Sequence, residues 1–424
     1  MNIVCIFDKI ITILAFLIIQ HYLMDSITLE ILSELVSFDS RTGQEHRILE
    51  YIEEKLLDSD FRVSRQKVDS SDTPRCNLLA KKGSGDFSIM FFAHVDTILP
   101  DIEYEKQGVN PFELRFDEEN EVYRGLGCAD QKAGVAALIS AFTDYTPDNI
   151  VIKLAFLVDE EADSLGAYKL IKERPDFFND VVMLVSTDLG GADFDTRADV
   201  PGVSYYAGNY GRFPLRVSIV SERIHGSIAG NNQPALEASR LLQNIWEKQS
   251  HLFILDATFD SPSISVRNFN SISSGFSSAE RVDIDFDFSV GANVTGDSVM
   301  ANLRLMMMNL RQAGKLLLPS SHYKIEIPNR GIPYFKAFVT NENDEFVALM
   351  KKCYQDFFKQ SAGSRINRSV ADSNAFATLT PEIPVITLGP TGGCAHSFNE
   401  WLHKDAVDSA AAFYRFIIES FSKK

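Results

Sequence analysis

The chain has 424 residues, 45% of them hydrophobic and 23% charged, a globular balance with room for two or three domains. A formal charge of -17 argues against a nucleic-acid groove, which needs a basic surface. It suits small substrates whose anionic groups are met locally by metal or arginine.

The five cysteines, Cys5, Cys76, Cys128, Cys353 and Cys394, are odd in number, scattered and free of CxxC spacing. A disulfide framework is therefore not expected, and a reducing, cytoplasmic setting is the simpler reading. Cys128 and Cys394 stand two residues before Asp130 and His396, which sets thiolate ligation against the commoner reading of small buried cysteines.

Residues 1–23 form an apolar extension. The stretch Ile10 to Ile19 behind Lys9 reads as a short signal core or anchor, yet a span needs about 20 apolar residues. No small-x-small cleavage site follows. A start at Met24 is the third reading, because Asp25-Ser26 ahead of Leu29, Ile31, Leu32 and Leu35 suits a capped helix. Membrane contact is expected only if these 23 residues persist as an anchor.

Helical spacing runs from Asp25 to about Asp60, and Arg62 to Lys67 and Asn77 to Ala80 read as strands. Phe87 to Ala93, Val151 to Val158, Val181 to Ser186 and Val385 to Leu388 are short continuous apolar runs, as expected of strands buried on both faces. Helices at Gln131 to Phe142 and Ala162 to Glu173 lie between them. This alternation predicts an α/β fold with helices on both sides of a sheet.

The middle of the chain differs. Arg212 to Ser221, Ser263 to Phe269, Arg281 to Val290 and Tyr323 to Ile327 read as strands, with helices at Ala235 to Lys248 and Asp297 to Ala313. That order suits an inserted ferredoxin-like α+β domain at 209–324, splitting a catalytic domain into 24–208 and 325–424.

In open α/β sheets ligands bind beyond the carboxyl ends of the strands, and four such ends carry metal-ligand types. The first gives His94-Val95-Asp96, where residues two apart point the same way and the Asp96 carboxylate can fix the His94 tautomer; a loop histidine is the plainer reading. Gly125 to Gly134 leads into a helix with Asp130 at its start, either as an N-cap or as a carboxylate bridging two cations. Asp159-Glu160-Glu161 is a solvated acidic turn or a pair in which one acid ligates and the other handles a proton. Asp188 precedes Gly190-Gly191, read as a sharp turn, and His396 sits on the loop Gly389 to His396 with Glu400 one helical turn beyond. Two histidines and three carboxylates can build two nitrogen/oxygen sites sharing Asp130, a set suited to zinc, cobalt or manganese.

In this order the motifs resemble those of the co-catalytic di-zinc exopeptidase and deacylase family that includes aminoacylase, acetylornithine deacetylase, succinyl-diaminopimelate desuccinylase, glutamate carboxypeptidase and peptidase T. HxDxxxP is His94 to Pro100, GxGxxDxKxG is Gly125 to Gly134, DEExxxxGA is Asp159 to Ala167 and GPxxxxAHxxNE is Gly389 to Glu400. The resemblance implies a zinc-exopeptidase-like mixed sheet sandwiched by helices, with the insertion as lid and dimerisation domain of a homodimer. It implies two divalent ions per subunit, one on His94, Asp130 and Asp188, the other on Asp130, Glu161 and His396. Glu160 would be the general base, Asp96 the acid behind His94, and His225 a donor to the tetrahedral oxyanion.

Two departures stand out: Asp287 replaces the arginine of an Asp-x-Arg pattern, and Gly275 to Ser278 replaces an Asn-x-x-Pro turn. Arg330, Arg365 and Arg368 are the candidates for holding a substrate carboxylate. The expected activity is hydrolysis of short peptides through a metal-activated water, with N-acyl amino acid deacylation as the alternative. A non-catalytic binding protein of the same fold would show damage in the ligand set, and none is visible.

Overall fold

A computed structural model describes residues 27–70, 75–189, 202–253, 257–260 and 262–424. The extension at 1–23 and the turn expected at Gly190-Gly191 lie outside the described residues. In chain order the main strands are β1 (Arg62–Lys67), β2 (Cys76–Ser84), β3 (Ser88–His94), β4 (Ile150–Leu157), β5 (Val181–Ser186), β6 (Val203–Tyr206), β7 (Gly211–Val220), β8 (Ser263–Ile272), β9 (Arg281–Val290), β10 (Tyr323–Glu326) and β11 (Val385–Pro390). The main helices are α1 (residues 27–37), α2 (His46–Leu57), α3 (Ala133–Phe142), α4 (Leu165–Glu173), α5 (Pro234–Glu247), α6 (Gly296–Gln312), α7 (Glu345–Phe358), α8 (Asp372–Leu379) and α9 (Ala406–Phe421).

The chain divides into two compact units; the second comprises Asn209–Phe338 and Arg368–Val370. It thus runs past residue 324, the end expected from the sequence.

The first unit is built on a seven-stranded mixed sheet of order β1-β2-β4-β3-β5-β11-β6. The four central strands β4, β3, β5 and β11 run parallel, while β1, β2 and β6 pair antiparallel at the two sides. Every residue of β3 is buried, which explains its unbroken apolar sequence. Helix α3 is small-residue-rich and buried on nearly every side, and it shares one core with α2, α9 and the sheet. Close approach requires its glycine, since a Cβ on Gly134 would meet the Thr187 carbonyl at 2.5 Å.

The second unit is a four-stranded sheet of order β8-β9-β7-β10, antiparallel throughout. Helices α5 and α6 share its apolar core. The sequence order strand-helix-strand-strand-helix-strand with this sheet order is the ferredoxin-like arrangement. Along β9, Val282, Ile284, Phe286 and Phe288 are buried in that core. The alternate aspartates take arginine partners instead: Arg281 on Asp283, Arg216 on Asp285, and Arg212 with Arg267 on Asp287. Asp287 is thereby neutralised by its neighbours.

Candidate metal centre

Four adjacent parallel strands deliver the acidic and imidazole groups. His94 ends β3, Glu160 and Glu161 follow β4, Asp188 follows β5 and His396 follows β11. Asp130 comes from the segment entering α3. That entry is an irregular turn at Cys128–Lys132 with non-helical backbone at Asp130 and Gln131, and Lys132 stands at the N-cap of α3. Asp130 is thus not the helix cap, and its carboxylate instead reaches His94 and His396. A small antiparallel sheet of Arg115–Asp117, Val122–Arg124, Trp401–His403 and Gly392–Gly393 joins the chain before Asp130 to the chain on both sides of His396.

The structure gathers His94, Asp130 and Asp188 into one group, and Asp130, Glu161 and His396 into a second, with the ligand atoms of each group within 4.8 Å of one another. His94, Glu160 and Glu161 form a third such group. His94 Nε2 lies 3.1 Å from Asp130 Oδ1. His396 Nε2 lies 2.9 Å from Glu161 Oε2 and 3.4 Å from Asp130 Oδ2. Asp130 therefore faces both histidines, one with each oxygen. Neither Cys128 nor Cys394 enters these groups among the described residues; burial pushes the Cys128 thiol well up, away from a thiolate.

The tautomer of His94 is set by the main chain. Its Nδ1 donates to the Asp96 carbonyl at 3.0 Å, leaving Nε2 as the lone-pair nitrogen for a metal. The Asp96 carboxylate, expected to make that bond, stands 3.6 Å away. It accepts instead from the backbone N–H of Glu160 (3.1 Å), that of Glu161 (3.2 Å) and the Thr42 hydroxyl (2.8 Å). It thereby ties down the backbone of the acid pair while facing the His94 ring.

The electrostatics fit a cation. Burial, with the charge of Asp130, raises the Asp188 carboxyl to about 8. Burial also raises Glu160 well above the carboxylate range, with Glu161 among the charges adding to it, and raises Glu161. His396 is held up to about 11, chiefly by its bonds to Asp130 and Glu161. A divalent cation is the counter-charge that would reverse these shifts, and nitrogen and carboxylate donors suit zinc, cobalt or manganese.

His225 is an exposed residue of the second unit whose Nδ1 accepts from the Ser227 N–H at 3.3 Å. Arg330, also in the second unit, donates to the Ile332 and Pro333 carbonyls and stacks on Tyr334. Arg365 is exposed in the first unit, and Arg368 is exposed in the second. Sequence reasoning assigned no role to Thr42 or Asp372. Asp372 is buried at the start of α8, raised to about 7 by burial, and its charge is felt by Glu160 and Asp188. The only sequence signal for Asp372 is an acid at a helix start, which is too common to single out.

Among known proteins, a probable carboxypeptidase of Ajellomyces dermatitidis is 30% identical over 210 residues. That match covers 45% of this chain and 47% of the relative, so the chain spans about half the length of the curated carboxypeptidases it first matches. A succinyl-diaminopimelate desuccinylase of Ehrlichia chaffeensis is 24% identical over 400 residues, 92% of this chain and 96% of that protein. The fold is similar to that of human carnosine dipeptidase 1, with a TM-score of 0.75 at 16% identity over 96% of this chain and 98% of that one. Residues 90–420 match the family described as Peptidase family M20/M25/M40. With that match covering most of its length, the chain belongs to this family.

Proposed function

We propose that this protein is a metal-dependent amide-bond hydrolase that acts on short peptides, holding two divalent ions, zinc for preference. The observation that carries this reading is the pair of ligand groups sharing Asp130, with Glu160 beside them. His94, Asp130 and Asp188 would hold one ion, and Asp130, Glu161 and His396 the other. When bound, such ions supply Lewis acidity to the scissile carbonyl and to the attacking water.

The protein's own groups supply the proton chemistry. Glu160, fixed through its backbone by Asp96, takes a proton from the attacking water at a carboxylate oxygen and returns it to the nitrogen of the leaving amine. His225 is assigned the oxyanion. Its Nδ1 accepts from Ser227, so the neutral ring carries its proton on Nε2, the form an oxyanion needs. For a substrate carboxylate, Arg365, Arg368 and Arg330 are the candidates, the last of them donating to neighbouring carbonyls.

An N-acyl amino acid is the alternative substrate, supported by the desuccinylase likeness along 92% of the chain. A homodimer through the second unit fits its exposed edge strand β8. Among the described residues no helix is long and apolar enough to cross a membrane. A cytoplasmic setting is proposed from the odd, scattered cysteines, of which Cys76, Cys128, Cys353 and Cys394 form no disulfide among the described residues.

The test is turnover by metal-loaded protein on paired panels of di- and tripeptides and of N-acyl amino acids. Faster hydrolysis of the peptide panel is expected. Glu160→Gln should keep its metal and lose about 10²–10⁴-fold in kcat, and His225→Ala should lose about 10²–10³-fold. Activity on neither panel, or full activity in Glu160→Gln, sinks the reading.

A further inference from the structure

The turn that carries Asp130 is closed by its own backbone bonds, Cys128 N–H to the Gly125 carbonyl at 3.1 Å and Lys132 N–H to the Gly127 carbonyl at 3.0 Å, and is held from outside as well. Gly127 adopts a left-handed φ of +73°, and a Cβ there would fall 2.6 Å from Thr97 Cγ2, so the backbone runs too close to its neighbours for a side chain at that point. Its N–H groups converge on one acid from a distant part of the chain. Gly127 N–H donates to Glu400 Oε2 at 2.9 Å, while Ala129 N–H and Asp130 N–H donate to Glu400 Oε1 at 2.8 and 3.0 Å. Three N–H groups of one turn converging on one carboxylate resemble an anion-binding nest, here filled by an internal side chain that is 1% exposed. Lys132, buried in the same turn, gives its Nζ to the Phe38 carbonyl at 2.9 Å. Its charge also interacts with the Glu400 carboxylate, while the direct hydrogen bonds to that carboxylate come from the nest.

Glu400 lies four residues after His396, and its own N–H donates to the Ser397 carbonyl at 3.1 Å. One side chain therefore joins the Asp130 turn to the His396 loop. Those two segments supply two of the three donors in the Asp130, Glu161 and His396 group. We infer that Glu400 is a positioning residue that clamps the Asp130 turn to the His396 loop and so sets the spacing on which metal affinity depends. The inference rests on the metal assignment proposed above. Glutamine has the same shape but a single acceptor oxygen, so it cannot serve Gly127 and the Ala129–Asp130 pair together. It also removes the charge that three aligned N–H groups favour.

The experiment titrates Zn²⁺ into metal-stripped full-length protein in competition with a chromophoric chelator, for the native chain, Glu400→Gln, Asp130→Asn and the double variant. Glu400→Gln is expected to weaken zinc binding by about 10–100-fold while the metal-free protein keeps its circular dichroism and melting transition. Because the clamp acts through Asp130, the double variant should bind zinc little worse than Asp130→Asn alone. Glu400→Asp keeps the charge but is too short for all three donors. It should fall between native and Glu400→Gln, and it stands in if the glutamine variant does not fold. Zinc affinity in Glu400→Gln equal to native, or full additivity with Asp130→Asn, overturns the clamp and leaves the metal assignment intact. A native protein that binds no zinc overturns both.

Discussion

Arg75 stands behind the acidic turn and does not enter the metal groups. Its Nη1 lies 2.6 Å from Asp159 Oδ1, and its Nε and Nη2 bond the Glu45 carboxylate. The side chains of Glu45 and Asp159 are 1% and 8% exposed. Burial works against the guanidinium charge, and the two carboxylates more than offset it, holding Arg75 above its ordinary range. Asp159 also accepts from Leu165 N–H at the start of α4, so the first acid of the Asp159-Glu160-Glu161 run is structural. Removing Arg75 leaves two buried acids without their counter-charge, and such losses cost about 3–5 kcal/mol. Arg75→Ala should lower stability by that order in chemical denaturation of the metal-free protein, whereas a loss under about 1 kcal/mol would mean the network behaves as a surface pair.

At this scale the sequence is readable where a residue ends an apolar run. His94 and Asp188 were picked out that way and His396 from the glycine-rich loop after the last strand, and the structure brings them beside Asp130 and Glu161. Thr42 and Arg75 were not findable, because their partners lie 54 and 84 residues away and threonine and arginine carry no local pattern. The Asp96 carboxylate was expected behind His94 from strand geometry and from the family resemblance. It lies 3.6 Å from His94 Nδ1 and also accepts from the Glu160 and Glu161 N–H groups.

Among the elements, strands buried on both faces were the most legible, since β3, β4, β5 and β11 are mainly apolar runs, interrupted in β4 by Lys153, with no competing period. Strand β6 has only four residues and pairs antiparallel at the sheet's side, too short to impose a period. The turn at Cys128–Lys132 was also hidden, because its shape is fixed by Glu400 from 270 residues away. Strand β8 carries a consequence for assembly. It forms an edge of the second sheet, and Val266, Phe269 and Ile272 are 39%, 45% and 40% exposed. An exposed apolar edge is a template for pairing unless something covers it, and a second copy of the same strand supplies a two-fold cover. The expected native species therefore sediments at twice the 47.4 kDa of the chain. Phe269→Lys should weaken that association at least about tenfold without changing the circular dichroism, and a native protein that sediments as a monomer at micromolar concentration refutes the pairing.

For the whole molecule, the change from apolar runs to alternation near residue 209 was read as a boundary, and the second compact unit begins at Asn209. The far end of the insertion was less legible, because residues 327–338 carry no strong period and join the second unit through packing. The concentration of acid in the first unit has a global effect that no single element shows. In the metal-free protein folded Asp188 keeps its proton up to about 8, against an ordinary value of 3.8, because burial and then Asp130 oppose its charge. Between those values the folded state binds more protons than the unfolded chain, so stability falls as pH rises through that window. A divalent cation bound among these carboxylates favours their charged forms and removes the penalty, and its affinity rises as the ligands lose protons. Zinc in 100-fold excess over its Kd should add about 2.7 kcal/mol of stability, visible as a higher Tm than in protein treated with chelator. The Tm gap between loaded and stripped protein should widen from about pH 5 to pH 8. A gap that stays flat or narrows over that range would mean that the buried acids are not the groups that bind the metal.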